Sequence, residues 1–354
     1  MDSKVESRKR LAMNVVPDVY FTIVICSYNP DERLLQRCLD AIHRLAHHGL
    51  ASEVLLVDNN STPPLTSRPA VRDFLGKRPD SKVIVAEEQG LVYARMAGIA
   101  QAKGDYVVFF DDDNEPQPDY LVELQALHQR YPAVAAWGPG VVTVDFIDGV
   151  DPRIKQVAYS AFQGKRESYT AFACLRQWQA CYPFGTGLCV KTEVLTTFAA
   201  WVNTGKLTAT GRKGVSLSSG EDLQMVMACI ALGYAAGHSP QLQVTHVITG
   251  TRANMGYIKR LSYGSNLAFH ASIAEVLPGY AEAVKFQVHR PRRFAFKSTK
   301  RYLSALLTGN PAKMVNTVNY IGAMSSLYRL YQIHIPRMVN VILKHASLHA
   351  RDYT

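Results

Sequence analysis

The chain has 354 residues, 47% of them hydrophobic and 19% charged; that composition supplies a buried core and excludes a disordered polymer. The formal net charge is +10, and residues 251–354 hold 15 Lys and Arg against three acids, which leaves residues 1–250 at −2. A neutral body with a basic tail points to an anionic partner, either acidic lipid or nucleic acid.

In chain order, residues 1–19 read as a charged N-terminal extension without the apolar core of an export signal. Tyr20–Cys26 reads as a buried strand and Glu32–His47 as a helix. Glu53–Val57 and Lys82–Ala86 are further strands, separated by a proline-rich loop, STPPLTSRPA. A helix is expected from Leu91 to Ala102, a strand over Asp105–Phe110 and a helix from Pro118 to Arg130. Such alternation, with nearly continuous apolar strands, predicts a parallel sheet covered on both faces. Ligands of such sheets bind outside the carboxyl ends of the strands. Those ends read CSYNP, VDNNS and FFDDDNEP, all polar and rich in turn formers. After residue 131 the pattern becomes α+β. Strands are expected at Val141–Phe146, Leu188–Lys191 and Gln241–Val247, and helices at Thr192–Val202 and Glu221–Leu232. Residues 255–354 read as mostly helical, with amphipathic basic stretches over Pro311–Gln332 and Pro336–His349. No apolar run approaches the roughly 18–20 residues of a membrane span. The six cysteines show no Cys-x-x-Cys spacing and read as reduced thiols of a cytosolic protein.

Asp111, Asp112 and Asp113 follow the apolar run VVFF directly. Three adjacent carboxylates repel one another, which raises some pKa values or recruits a cation. Hard oxygen ligands suit Mg²⁺ or Mn²⁺, usually through one or two carboxylates together with substrate phosphates. A solvated acidic turn is the alternative.

The segments SYNPDERLLQRCLDAI, LLVDNNST, EEQGLVYARMAGIAQAKGDYVVFFDDDNEPQPDYL, GTGLCVKTEVL and SSGEDLQMVMACIALGY together resemble family 2 glycosyltransferases of the GT-A fold, over roughly residues 20–250. The resemblance implies an α/β architecture: a Rossmann-like nucleotide-binding half (20–130) with a mixed central sheet and an acceptor-binding half (131–250); the helical periodicity after it adds a C-terminal helical extension (251–354). It implies an inverting transferase that takes one sugar from a nucleotide-sugar, a UDP-sugar in this reading, to a hydroxyl of a glycan or lipid-linked acceptor, with Mn²⁺ or Mg²⁺ on the diphosphate. The Gln-x-x-Arg-Trp motif of processive members is missing after Asp222, in keeping with single-sugar transfer.

By the same resemblance Asp113 is a metal ligand, and Asp111 and Asp112 hold the ribose and support the metal's water shell, with Asp111 as a further candidate ligand. Cys26, Tyr28 and Asp58 face the base. A carboxylate only accepts hydrogen bonds, so Asp58 favours a base with a ring N–H, such as uracil or guanine; a local Asx turn is its alternative role. Arg95 pairs with a base or phosphate oxygen, or lies on the surface. Gly185-Thr186-Gly187 forms a small-residue turn, with Gly187 beside the donor sugar. Asp222 is the general base that takes the acceptor proton, and Glu221 positions hydroxyls; the alternative for both is a simple role as helix-start acids. His246 is a third metal ligand. Trp178 is an acceptor platform or a core residue.

The tail lies outside the resemblance. Its Lys and Arg alternate with aromatic and aliphatic residues, as in RPRRFAFKSTKRYLSALL. This pattern fits peripheral docking on the inner face of an anionic membrane. A helical subdomain packed on the body, or paired in a homodimer, is the alternative. No nucleic-acid recognition motif accompanies the charge. Two other functions compete with transfer. One is a nucleotidyltransferase, for which CSYNPDER is a poor phosphate loop. The other is a non-catalytic scaffold that binds nucleotide or glycan.

Overall fold

The computed structural model describes residues 21–46, 49–208, 217 and 220–348. The expected extension over residues 1–19, and Ser219 beside the second acidic motif, lie outside the described residues.

The first half alternates β1 (Phe21–Ser27), α1 (Glu32–His43), β2 (Ser52–Asp58), α2 (Pro69–Lys77), β3 (Ser81–Val85), α3 (Leu91–Gln101) and β4 (Tyr106–Asp111). The second runs β5 (Asn114–Pro116), α4 (Tyr120–Arg130), β6 (Val134–Phe146), α5 (Lys155–Ala161), β7 (Lys165–Arg166), β8 (Ala171–Ala173), β9 (Leu188–Lys191), α6 (Thr192–Asn203), α7 (Glu221–Ala231) and β10 (Ala235–Ile248). Then come α8 (Met255–Val276), α9 (Tyr280–Val284), α10 (Pro291–Thr308), α11 (Pro311–Leu330) and α12 (Arg337–His345).

One sheet organises all of this, in the order β3-β2-β1-β4-β9-β6-β10-β5. The first four strands are parallel. β9 enters antiparallel to β4 and β6, so the sheet is mixed, as the GT-A expectation requires. Successive side chains on a strand face opposite ways, and β1 sends its two sets into separate clusters. Phe21, Ile23 and Ile25 join one buried cluster with α1, α2 and α4. Val24 and Cys26 join another with α3, α6 and α7. Both faces are therefore dry, which explains why these strands lack polar alternation.

The helices after residue 254 extend the second cluster. Tyr263, Leu267, Phe294, Leu327, Tyr328 and Val339 are buried in the same cluster as Leu223 and Met225. The C-terminal helical region thus packs on the body, one of the arrangements the sequence allows. Asn254 and Asn310 start α8 and α11 by accepting backbone N–H bonds from Tyr257 and Lys313, the usual role of an asparagine cap.

Several elements depart from expectation. β6 starts at Val134 and β10 at Ala235, well before Val141 and Gln241. β6 runs through Gly138-Pro139-Gly140, where its register with β10 shifts between Ser239 and Gln243. A proline is tolerated at such an irregularity. The three-residue β5 and the seven-residue α5 are too short to show a period. The proline-rich loop ends in α2, which begins at Pro69, a favoured first helical position for proline.

His128 on α4 stacks on Tyr106 with ring centroids 3.7 Å apart. Burial, helped by the Lys191 charge, pushes its pKa from 6.5 down to about 3. Between those values the unfolded chain binds a proton that the folded chain excludes. Stability is therefore full above the unfolded pKa and falls as the pH drops toward the folded one. His128→Gln should flatten this acid limb by about 1.4 kcal/mol per pH unit, measured by urea unfolding at several pH values below 6.5. An unchanged slope would show that His128 does not set it.

Candidate active site

The site begins where the parallel strands end. β1 and β4 lie side by side with Cys26 opposite Asp111, and β2 sets Asp58 opposite Ser27. The loops that leave these ends converge on a cleft of about 350 Å³, lined in part by Cys26, Tyr28, Asn59 and all three aspartates. Tyr28 is 49% exposed. Burial pushes the Cys26 thiol up to about 12, so it stays neutral.

The acidic turn is held from several sides. The Ser27 hydroxyl donates to Asp112 Oδ2 at 2.5 Å. Asn114 donates from Nδ2 to Asp113 Oδ1 at 2.8 Å and accepts the Asp111 backbone N–H at 3.2 Å. β5 pairs Asn114 with His246 of β10, and the Asp113 carbonyl accepts the Val247 N–H at 2.8 Å. This pairing brings His246 Nε2 to 3.3 Å from Asp113 Oδ2. His246 Nδ1 faces the Phe162 carbonyl at 3.0 Å. Arg252 also ion-pairs with Asp113 Oδ2, and its guanidinium lies 5.4 Å from the Phe162 ring centroid and 5.6 Å from that of Tyr257. Burial would raise the Asp113 pKa, but His246 and Arg252 outweigh it and hold the carboxyl below its usual range. Asp112 goes the other way, raised by burial and by the charge of Asp113.

Arg95 joins this turn to the second acidic motif. It is buried on α3, with Nη1 2.9 Å from Glu221 Oε1 and Nη2 3.7 Å from Asp111 Oδ1. Burial works against its charge, but Glu221 first and Asp111 next outweigh that and keep the guanidinium protonated. Glu221 is fully buried at the start of α7. Asp222, the next residue, turns outward. Its Oδ2 accepts the Gly185 N–H at 2.9 Å, and its Oδ1 accepts the Leu223 N–H at 2.8 Å. Asp222 lies on a second cavity of about 560 Å³, which also touches Trp178, Phe184, His246 and Arg252.

The sequence-derived candidates therefore divide. Cys26, Tyr28, Asp111, Asp112 and Asp113 meet in the first cavity, and Trp178, Asp222 and His246 in the second. Neither lining includes Asp58, Arg95, Gly187 or Glu221. Asp58 accepts the backbone N–H groups of Ser61 and Leu65, both at 2.8 Å, as in the local-turn alternative. Arg95 bridges two carboxylates instead of lying on the surface. Gly187 sits at φ +65° with its carbonyl accepting from Tyr120 Oη at 2.6 Å; a side chain there would strain the backbone and strike that hydroxyl. Asp111 turns to Arg95, and among the described residues no three His, Cys, Asp or Glu side chains converge on a metal-sized point. Arg252 lines both cavities; sequence reasoning groups it with the basic tail and so misses it. Asn59, which accepts from Gly90 N at 2.7 Å and donates to the Glu88 carbonyl at 2.7 Å, is visible in sequence only as part of a polar strand end.

Arg95→Met would strip the guanidinium from the buried Glu221 carboxylate, at a cost of about 3–5 kcal/mol in urea unfolding. Combining it with Glu221→Gln should cost less than the two single changes summed. Additive losses would mean that the pair does not interact.

Residues 22–183 match the family described as glycosyl transferase family 2. An uncharacterised glycosyltransferase of Nostoc is 31% identical over 180 residues, 49% of this chain and 51% of that protein. The succinoglycan biosynthesis protein ExoO of Rhizobium meliloti is 31% identical over 143 residues, 39% of this chain and 36% of that protein. The chain thus spans about half or less of the length of these relatives. Among solved structures, residues 1–349 of TarS from S. aureus cover 88% of this chain and 92% of theirs at 18% identity and a TM-score of 0.44. The mannosyltransferase PcManGT from Pyrobaculum calidifontis, in complex with GDP-Man and Mn²⁺, covers 89% and 88% at 18% identity and a TM-score of 0.47. The likeness to glycosyl transferase family 2 thus runs through residues 22–183.

Proposed function

We propose that this protein transfers one sugar, with inversion, from a nucleotide-sugar (a UDP-sugar in this reading) to a hydroxyl of a glycan or lipid-linked acceptor. Residues 20–250 form the transferase unit and residues 251–354 an accessory one. The observation that carries the reading is the placement of two cavities that share Arg252, one holding the acidic turn and the other Asp222. An inverting transfer needs a base on the side of the sugar opposite its leaving group. Asp222 is anchored by one N–H on each oxygen, so each oxygen keeps a lone pair for an acceptor hydroxyl. Taking that proton makes the attacking oxygen nucleophilic as the glycosidic bond breaks. Tyr28 and Cys26 flank the base, and Asp112 reaches the ribose. Arg252 has a buried Nε without a hydrogen bond among the described residues, and its charge faces the departing diphosphate. Glu221 and Arg95 act as supports.

Asp113 and His246 fit a divalent metal. A carbonyl only accepts, so the bond to Phe162 makes His246 Nδ1 the donor. His246 Nε2 then lies 3.3 Å from Asp113 Oδ2, so that an imidazole nitrogen and a carboxylate oxygen stand close enough to share a cation. A hydrogen-bonded second nitrogen that fixes the tautomer is the usual support of a metal-binding histidine. Oxygen and imidazole donors suit Mn²⁺, with Mg²⁺ the alternative. Bound there, the ion would neutralise charge on the leaving diphosphate as a Lewis acid.

Turnover of UDP-glucose, UDP-galactose and UDP-N-acetylglucosamine with Mn²⁺ tests the reading. Asp222→Asn should reduce turnover by about 10²–10⁴-fold without loss of UDP binding in calorimetry. Full activity in that variant refutes the base. Asp113→Ala should remove the Mn²⁺ dependence of UDP binding.

The same reading includes an anionic membrane surface as partner, on the cytoplasmic side. No described helix is long and apolar enough to cross a membrane, but α10 and α12, packed together, leave apolar side chains outside. Phe296, Leu303 and Leu307 recur at helical spacing on α10, and Met338 and Val341 stand out from α12. Lys297, Lys300, Arg301, Arg337 and Lys344 are interleaved with them. Interfacial helices combine these two features. Flotation should recover the protein with phosphatidylserine vesicles and not with phosphatidylcholine vesicles. Each basic residue contributes about 1 kcal/mol near such a surface, so Lys300→Ala with Arg301→Ala should weaken binding by about tenfold or more. Equal recovery with both lipids would remove the membrane from the account.

A further inference from the structure

The second cavity has a wall that the transfer chemistry does not use. It comes from α8 and α11, beyond the segment that matches the family. The two helices close most tightly at Gly322, where an added Cβ would stand 2.8 Å from the Cβ of Asn266 and 3.1 Å from the Tyr263 carbonyl. That approach sets two asparagines side by side. Asn266 Nδ2 donates to Asn319 Oδ1 at 3.1 Å and to the Ser262 carbonyl at 2.8 Å. Both of its hydrogens are then used, so Asn266 presents its Oδ1. Asn319 presents its amide N–H groups. Asn316 lies three residues earlier on α11, on the same side of the helix, and lines the same cavity.

Aromatic rings border the cavity as well. Trp178 stands 5.3 Å from Phe184 and 5.7 Å from Phe269, between ring centroids, and all three line it. Among the described lining residues, α8 and α11 contribute amides, hydroxyls and apolar groups but no charge. The ionisable side chains of the lining, Asp222, His246 and Arg252, come from elsewhere.

Resting on the transferase reading above, we propose that the α8–α11 wall is an acceptor subsite for a neutral oligosaccharide. A sugar ring is amphipathic. Its C–H face packs on an aromatic ring, while its hydroxyls both donate and accept. The wall answers with both roles, an acceptor at Asn266 and donors at Asn316 and Asn319. A phosphorylated or carboxylated acceptor would instead call for Lys or Arg at this wall. A site of this kind fixes a small polar ligand with a few placed groups on a largely apolar lining. Asn266, Asn316 and Asn319 are therefore specificity-determining residues for the acceptor.

The test is an array of neutral oligosaccharides and their sialylated and phosphorylated counterparts, probed with the full chain plus UDP and Mn²⁺. Wild-type protein should retain neutral members preferentially. Asn316→Ala and Asn319→Ala, both at accessible positions, should each reduce that retention by about tenfold. UDP calorimetry on each variant checks that the donor side is folded. Preferential capture of acidic members, undiminished capture by both variants, or no capture by protein that binds UDP would each overturn the subsite. Failure of wild-type protein to bind any nucleotide would instead strike the transferase reading, and this inference with it.

Discussion

The site hangs on one buried cation. Arg95 sits in the interior between Asp111 at the end of β4 and Glu221 at the start of α7. Removing a guanidinium and a carboxylate from water is expensive, and the loss is recovered only where the charges meet at hydrogen-bond distance. The 2.9 Å contact with Glu221 meets that condition. It also fixes the first turn of α7, and with it the next residue, Asp222, which is half-buried and accepts the Gly185 and Leu223 N–H groups. A fully buried acid followed by a half-buried one is thus a positional device, with the first carboxylate helping to place the second.

A second electrostatic knot secures the acidic turn. Asp113 has a histidine and an arginine on one oxygen and an asparagine on the other. Its neighbour Asp112 takes its side-chain hydrogen bond from the Ser27 hydroxyl. The two aspartates therefore diverge in proton affinity although they are adjacent in sequence, because partners differ more than burial does. Asp113 is the carboxylate tied into ion pairs, and Asp112 the one held by a neutral hydroxyl.

Strands with strong local signals are legible in sequence. β1, β2 and β4 are apolar runs ended by polar turns, and the acidic triplet falls at such an end, which is why its place is readable. What escapes is decided by tertiary pairing. Three residues make β5, and only its register with β10 carries His246 to Asp113. Asp58 reads as a base contact or a local turn when the strand end is taken alone; the two N–H groups it accepts depend on how the loop after it folds back. Arg95 reads in sequence as a partner of a base or phosphate oxygen, or as a surface arginine; its ion pair with the distant Glu221 is visible only in the fold. Hydrophobic period locates elements, but it says nothing of which polar side chains from remote segments will share a buried point.

The C-terminal region shows the same limit from another side. Its charge, summed over residues 251–354, suggests a single basic module. In the fold that stretch separates into two chemistries. Arg252 lines both cavities and pairs with Asp113, and α8 and α11 offer the cavity amides without charge. The exposed basic and apolar side chains gather on α10 and α12. Because all these helices share one core with α7, a surface that docks α10 and α12 would also orient the mouth of the acceptor cavity. The same packing that keeps the tail folded would then determine which hydroxyls Asp222 can reach.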